Sequence, residues 1–417
     1  MNFRIKKIEL EANVIGAYLF ILCILSSNIQ RYMNYANFAM ILVFGYQIYS
    51  SRRIRKNLLG ILWGIYIVIY PLIDARLRGQ SGLTFFDFLC YSAPLFAMIG
   101  NDFSEKELDY LCKGIKYLAR FQCLGILISI FWYRLYIILT WRILGNFTAN
   151  IMGFTPNQAI AAFTICAGYC IALSELLFNN QKRKDKFMSY IELLIYVFCL
   201  VQTTKRFVLI ALVFSTIVIL IFKSIHDLKK LLFTIAISIV MVATCYYLSV
   251  WFYNTYGEVN AIGRLGATIT GVEKGEDISN NRSIWAAFMT EWGAENKMFG
   301  IGWESFRYRI HYTGYPSIPN GHNVFRQVLC ETGYFGETIF IGLLIITFLN
   351  HFKIVLECTN RLVSKSMISA SAVASISIFS IFFIYCVSGN AIYDSYAYLY
   401  LFLSVIYGDT ISIILSR

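Results

Sequence analysis

Charge is scarce in this chain. Only 14% of its 417 residues are Asp, Glu, Lys or Arg, whereas soluble globular domains carry about 25%. An ordinary water-soluble fold is therefore excluded. Proline is nearly as rare, with five in the whole sequence, so long helices are seldom interrupted. Cysteine is present eleven times, but none falls in the one long polar stretch, which excludes a disulfide framework. The four histidines, His226, His311, His322 and His351, are dispersed. Without an HExxH pattern or a Cys/His cluster at ligand spacing, a zinc site is disfavoured.

What the chain has in abundance is apolar and aromatic surface, 58% and 17% of residues. With about 20 apolar residues per bilayer crossing, the pattern predicts an all-α integral membrane protein of about 12 transmembrane helices. They lie near 13–28, 36–50, 58–73, 83–100, 117–140, 157–178, 188–203, 207–223, 231–251, 323–349, 367–388 and 394–413. The net charge of +12 is better explained by topology than by nucleic acid, because more than half of the Lys and Arg fall at the termini and in alternate short loops. The other short loops hold only Arg31, Arg76, Arg78, Arg142, Lys205 and Arg206. This asymmetry places both termini in the cytoplasm. The first apolar stretch ends in Ser26-Ser27-Asn28 without a cleavage pattern and reads as an uncleaved span.

The expected organisation is then helices 1–9 over 1–251, a periplasmic loop with short helices over 252–322, and helices 10–12 over 323–417. Within the loop, Asn280 and Asn281 are candidate caps for a helix with apolar positions Ile284, Ala287, Phe288 and Trp292. Gly300 and Gly302 end it. Pro316, Pro319 and a Pro-Asn-Gly turn bring the chain to His322 and Asn323, where an apolar run begins. An imidazole at a helix N-terminus stays neutral beside an anion site, as a general base requires. The same His-Asn pair could instead simply cap the helix.

Two adjacent cations, Lys205 and Arg206, occupy a tight corner between two spans against the charge rule, where they meet either lipid headgroups or another anion. Arg326 is expected one turn below His322 on the same face. Glu331, on another face, reads as a structural hydrogen-bonding group. The run Tyr393, Tyr396, Tyr398 and Tyr400 reads as an interface belt before a sugar platform.

Five pieces, GFTPNQAIAAF, TTKRFVLIAL, NRSIWAAF, FGIGWESF and GHNVFRQVLCETGYFG, together resemble the bacterial O-antigen polymerase and O-antigen ligase superfamily across roughly residues 150 to 345. The resemblance implies a metal-independent, inverting membrane glycosyltransferase of the inner membrane that needs no cofactor. It implies that Arg206 and Arg282 hold the diphosphate of an undecaprenyl-diphosphate-linked oligosaccharide donor and that His322 activates the acceptor hydroxyl; the corner departs from related sequences in reading Lys-Arg where they often carry a single basic residue, which leaves open whether Lys205 or Arg206 faces the phosphate. Arg264, Asn323 and Arg326 are the further candidate substrate contacts, with Lys205. The acceptor is a second lipid-linked oligosaccharide if the protein is a polymerase, and the lipid A core if it is a ligase. Membrane lipid and a chain-length regulator are the further partners expected. The outer loop lacks an Asp-x-Asp, in keeping with a lipid-borne donor. The leading expectation is a polymerase. A flippase-type transporter is the alternative from another class, which alternating access through twelve spans would suit but which leaves the long ordered loop unexplained.

Overall fold

The computed structural model describes residues 2–416 apart from 31, 52–56, 79–84, 101–102, 146–152, 180–181, 275–281, 315–319 and 361–365. The expected caps Asn280 and Asn281 and the prolines Pro316 and Pro319 lie outside the described residues. The chain begins with α1 (Asn2–Ile29), α2 (Met33–Ser51), α3 (Leu58–Gly64), a π-helical turn (Ile65–Ile69), α4 (Tyr70–Arg78) and α5 (Phe85–Gly100). It continues through α6 (Glu105–Phe131), α7 (Tyr133–Leu144), α8 (Gln158–Phe178), α9 (Arg183–Gln202), α10 (Arg206–Ser224) and α11 (Leu228–Tyr256). Three short helices follow, α12 (Ala261–Glu273), α13 (Arg282–Gly293) and α14 (Ser305–His311). Three long ones close the bundle, α15 (Val324–Asn360), α16 (Ser366–Ser388) and α17 (Ser395–Ser416).

The protein is an all-α membrane protein. Among the described residues seven helices, α6, α8, α10, α11, α15, α16 and α17, are long and apolar enough to cross a bilayer, and Asn13–Ile29, Leu58–Asp74 and Tyr91–Gly100 are shorter apolar stretches. The expected spans at 36–50 and 188–203 are helical but fall short of that criterion. α2 carries Asn34, Asn37 and Gln47, and α9 opens on Arg-Lys-Asp-Lys. The expected span 117–140 is two helices, because Trp132 leaves helical geometry (φ −139°, ψ 62°) between α6 and α7.

α8 is the centre of the bundle, buried along almost its whole length. Its small residues allow close approach: a Cβ on Gly168 would stand 2.4 Å from that of Ala119 on α6. The GFTPNQ stretch leads into it, with Asn157 capping through Oδ1 to the Ala159 N–H at 2.9 Å. A polar chain crosses this core. Gln122 Oε1 accepts from Phe154 N–H (2.9 Å), Thr164 donates to Asn28 Oδ1 (2.7 Å), and Tyr400 donates to Thr164 (3.0 Å). Buried polar groups in a bilayer-facing bundle stay only where they satisfy one another. α11 is the opposite case. It is apolar on all sides and little covered by protein, so lipid must solvate it. Ion pairs Lys116–Glu175 and Arg120–Glu192 tie α6 to α8 and α9.

Candidate active site

The outer segment docks through a break in α15. Gly333 has φ 65° and ψ −169°, values no other residue type adopts without strain, and the helix is interrupted there. The chain from 297 to 302 runs alongside the break. Ile301 and Gly302 donate their N–H groups to the carbonyls of Cys330 (3.0 Å) and Glu331 (2.8 Å), and Tyr334 and Phe335 donate back to Lys297 (2.9 Å) and Met298 (3.1 Å). The helical bonds lost at the kink are thus replaced. A Cβ on Gly300 would stand 2.3 Å from the carbonyl carbon of Glu331, and one on Gly333 2.4 Å from that of Met298. The Gly-Ile-Gly and Glu-Thr-Gly motifs are therefore two halves of one contact.

Glu331 is the knot of this contact. It is 0% exposed and accepts from Glu304 N–H (2.8 Å), Phe306 N–H (3.2 Å), Gln327 Nε2 (3.0 Å) and Tyr393 Oη (2.7 Å). The structural role expected for it is the one observed. Trp285, Met289, Ile301, Phe306, Ile310 and Cys330 form a small core of their own beside it, which fixes α13 and α14 on α15.

His322 sits two residues before α15 in left-handed backbone, φ 55°. The corner is held from three sides. Its N–H donates to Asn390 Oδ1 (3.0 Å), Gly321 N–H donates to Gln327 Oε1 (2.8 Å), and Asn323 caps α15 through Oδ1 to Arg326 N–H (3.0 Å) while its Nδ2 donates to the Val387 carbonyl (3.1 Å). Non-glycine residues in this region concentrate at functional corners, and Thr204 (φ 58°) and Glu304 (φ 58°) share it here. The imidazole lies against Trp285, ring centroids 5.5 Å apart at 33°. Burial, then Arg282, then Lys205 lower its pKa to about 4, so the ring is a neutral acceptor at pH 7. The sequence-based reason for neutrality was the helix end; burial and the two cations are the causes found.

Four cations collect around this corner. Lys205 is the residue before α10 and Arg206 its first, Arg264 stands on α12, and Arg282 opens α13. Arg206 donates to Thr268 of α12 at 2.5 Å. Burial, Arg264 and Arg282 depress the Lys205 ammonium, and burial and Arg206 depress the Arg282 guanidinium. None of the four makes an ion pair with a carboxylate among the described residues. Lys205, Arg206 and Arg282 are half-buried and Arg264 is exposed, and the carboxylates that act on them, Glu258 on Arg206 and Asp394 on Lys205, do so without an ion pair; such a cluster suits a polyanion, with guanidinium forks matched to bidentate oxygens.

Arg326 departs from expectation. It is exposed, and the one-turn relation to His322 fails because His322 is outside the helix. The tyrosine run is a correction too: Tyr396, Tyr398 and Tyr400 are buried in the core, not set in an interface belt. Tyr398 packs on Tyr91 and Tyr400 donates to Thr164, while Tyr396 is held by Asp394, a residue that composition does not single out. Its carboxylate accepts from Tyr385 Oη (2.7 Å) and Tyr396 Oη (3.1 Å) and acts on Lys205. Burial raises its pKa to about 6, against the two tyrosine hydrogen bonds and Lys205. The available signal was a lone carboxylate among aromatics between two apolar runs. Asn390 was likewise unforeseen, and Trp285, expected to set α13 on the membrane surface or on the bundle, was not expected against His322.

Residues 191–341 match the family described as O-antigen ligase. That segment runs from α9 through the cation cluster and His322 to the break in α15. No curated protein matches the chain.

Proposed function

From a chain that belongs to the O-antigen polymerase and ligase superfamily, we propose a polymerase that moves a growing glycan from polyprenyl diphosphate onto the next lipid-linked repeat unit. The observation that carries this reading is the convergence of a neutral, half-buried His322 with Lys205, Arg206, Arg264 and Arg282 at one corner of the bundle. In it, the diphosphate rests against Arg206, Arg282 and Lys205, with Arg264 at the rim. His322 takes the proton of the acceptor hydroxyl as its oxygen attacks the anomeric carbon. The bond to the diphosphate oxygen breaks with its electron pair leaving on the diphosphate, whose new charge the guanidinium groups stabilise. Direct attack inverts the anomeric centre. Asn323 and Asn390 hold the base in place.

The charge asymmetry of the loops supports a reading in which this corner faces the periplasm from the inner membrane, with both termini cytoplasmic. The ligase reading is favoured by the description of the matched family. A deletion strain separates the two by its surface polysaccharide. Core carrying a single repeat marks a lost polymerase, and bare core with long glycan left on the carrier marks a lost ligase. Purified protein given lipid-linked repeat should lengthen it, and His322→Ala should abolish lengthening. Transport without a new glycosidic bond would overturn the enzyme reading.

A further inference from the structure

α13 turns one face to the His322 corner. Arg282, Trp285 and Met289 follow at three- and four-residue spacing, Arg282 acting on the imidazole, Trp285 lying against it, and Met289 packing on Gly321, where a Cβ would stand 2.6 Å from the methionine sulfur. Trp285 is 9% exposed and rooted in the small core with Phe306 and Ile301. A buried tryptophan held for packing alone generally also places its indole N–H on an acceptor. Here that N–H has no partner among the described residues, while the π face is set against His322.

We propose that Trp285 is a positioning residue for His322, its indole face orienting the imidazole and stabilising the imidazolium that forms when the acceptor proton arrives. The inference rests on His322 being the base. Burial and two neighbouring cations all oppose a positive charge on that ring, and protonation is needed only as the acceptor oxygen attacks. An aromatic face within about 6 Å of a cation is attractive, most so away from water. The benefit is absent in the resting, neutral state, so it belongs to the rate of transfer and not to donor binding.

The test is a series of tryptophans carrying one to three ring fluorines, placed site-specifically at position 285 of the full chain and assayed on lipid-linked repeat. Fluorine withdraws density from the π face and changes little of the shape. The expected result is a stepwise fall in kcat, about tenfold across the series, at unchanged KM for the donor and unchanged thermal midpoint. Trp285→Phe should fall within the series and Trp285→Leu below it. A flat series overturns the inference even if Trp285→Leu is inactive, because loss of packing alone would then explain that variant. His322→Ala, run alongside, separates the two readings: if it is inactive and the series flat, only the Trp285 role fails, and if it is active, both fail.

Discussion

Lowering the pH from 7 to 5 should leave glycan transfer almost intact. Protonation removes the base, so activity falls as pH falls, and the question is where. An ordinary histidine, pKa about 6.5, would keep only about 4% of its pH 7 activity at pH 5, whereas one at about 4 keeps about nine-tenths. The difference exceeds twentyfold and is read from initial rates of chain lengthening in detergent. Lys205→Met removes one of the two opposing charges and should move the acid limb upward by a fraction of a pH unit. Arg282→Met should move it further, since Arg282 is the larger charge effect. The same depression has a stability counterpart. Between pH about 6.5 and about 4 the unfolded chain takes a proton that folded His322 refuses, so stability is lost as pH falls through that window, up to about 3 kcal/mol. His322→Asn, which tolerates left-handed backbone and does not titrate, should lack that loss when thermal midpoints are compared at pH 7 and 4.5. A wild-type acid limb near pH 6.5 that Lys205→Met does not move would refute the electrostatic account of the corner.

Two further outcomes test the frame that holds the site. Gly333→Ala meets both a positive φ and a Cβ 2.4 Å from the Met298 carbonyl carbon, so it should destabilise the fold by roughly 2–4 kcal/mol and lower the thermal midpoint in detergent; a midpoint within a degree of wild type would show that the break is not required. Glu331→Leu leaves the Glu304 and Phe306 N–H groups buried without an acceptor, at about 1–3 kcal/mol each. Proteolysis should then cut first between α13 and α15, and an unchanged cleavage pattern would contradict the knot assigned to Glu331.

Helix positions and the all-α membrane class were legible because a bilayer requires about 20 apolar residues in a row, and that pattern is local. His322 beside a capping Asn323 and the misplaced cations at 205 and 206 were legible for a similar reason, since each breaks a local rule. The span expected at 117–140 was misread because apolar composition continues through Trp132, where only the backbone turns. The one-turn relation between His322 and Arg326 fails because spacing assumes a helix that has not yet begun at His322.

The sequence by itself determined the solvent of this protein, the rough place of its apolar helices, and the residue types available at the polar corner, all of which follow from nearest-neighbour composition. Only the tertiary structure decided which of those residues share the corner. The cations arrive from residues 205 and 206 and from α12 and α13, and Asp394 comes from between α16 and α17; the core around Trp285 fixes α13, which carries Arg282, against α15. Burial and charge proximity set the proton affinity of His322, and both depend on residues that are distant in the chain.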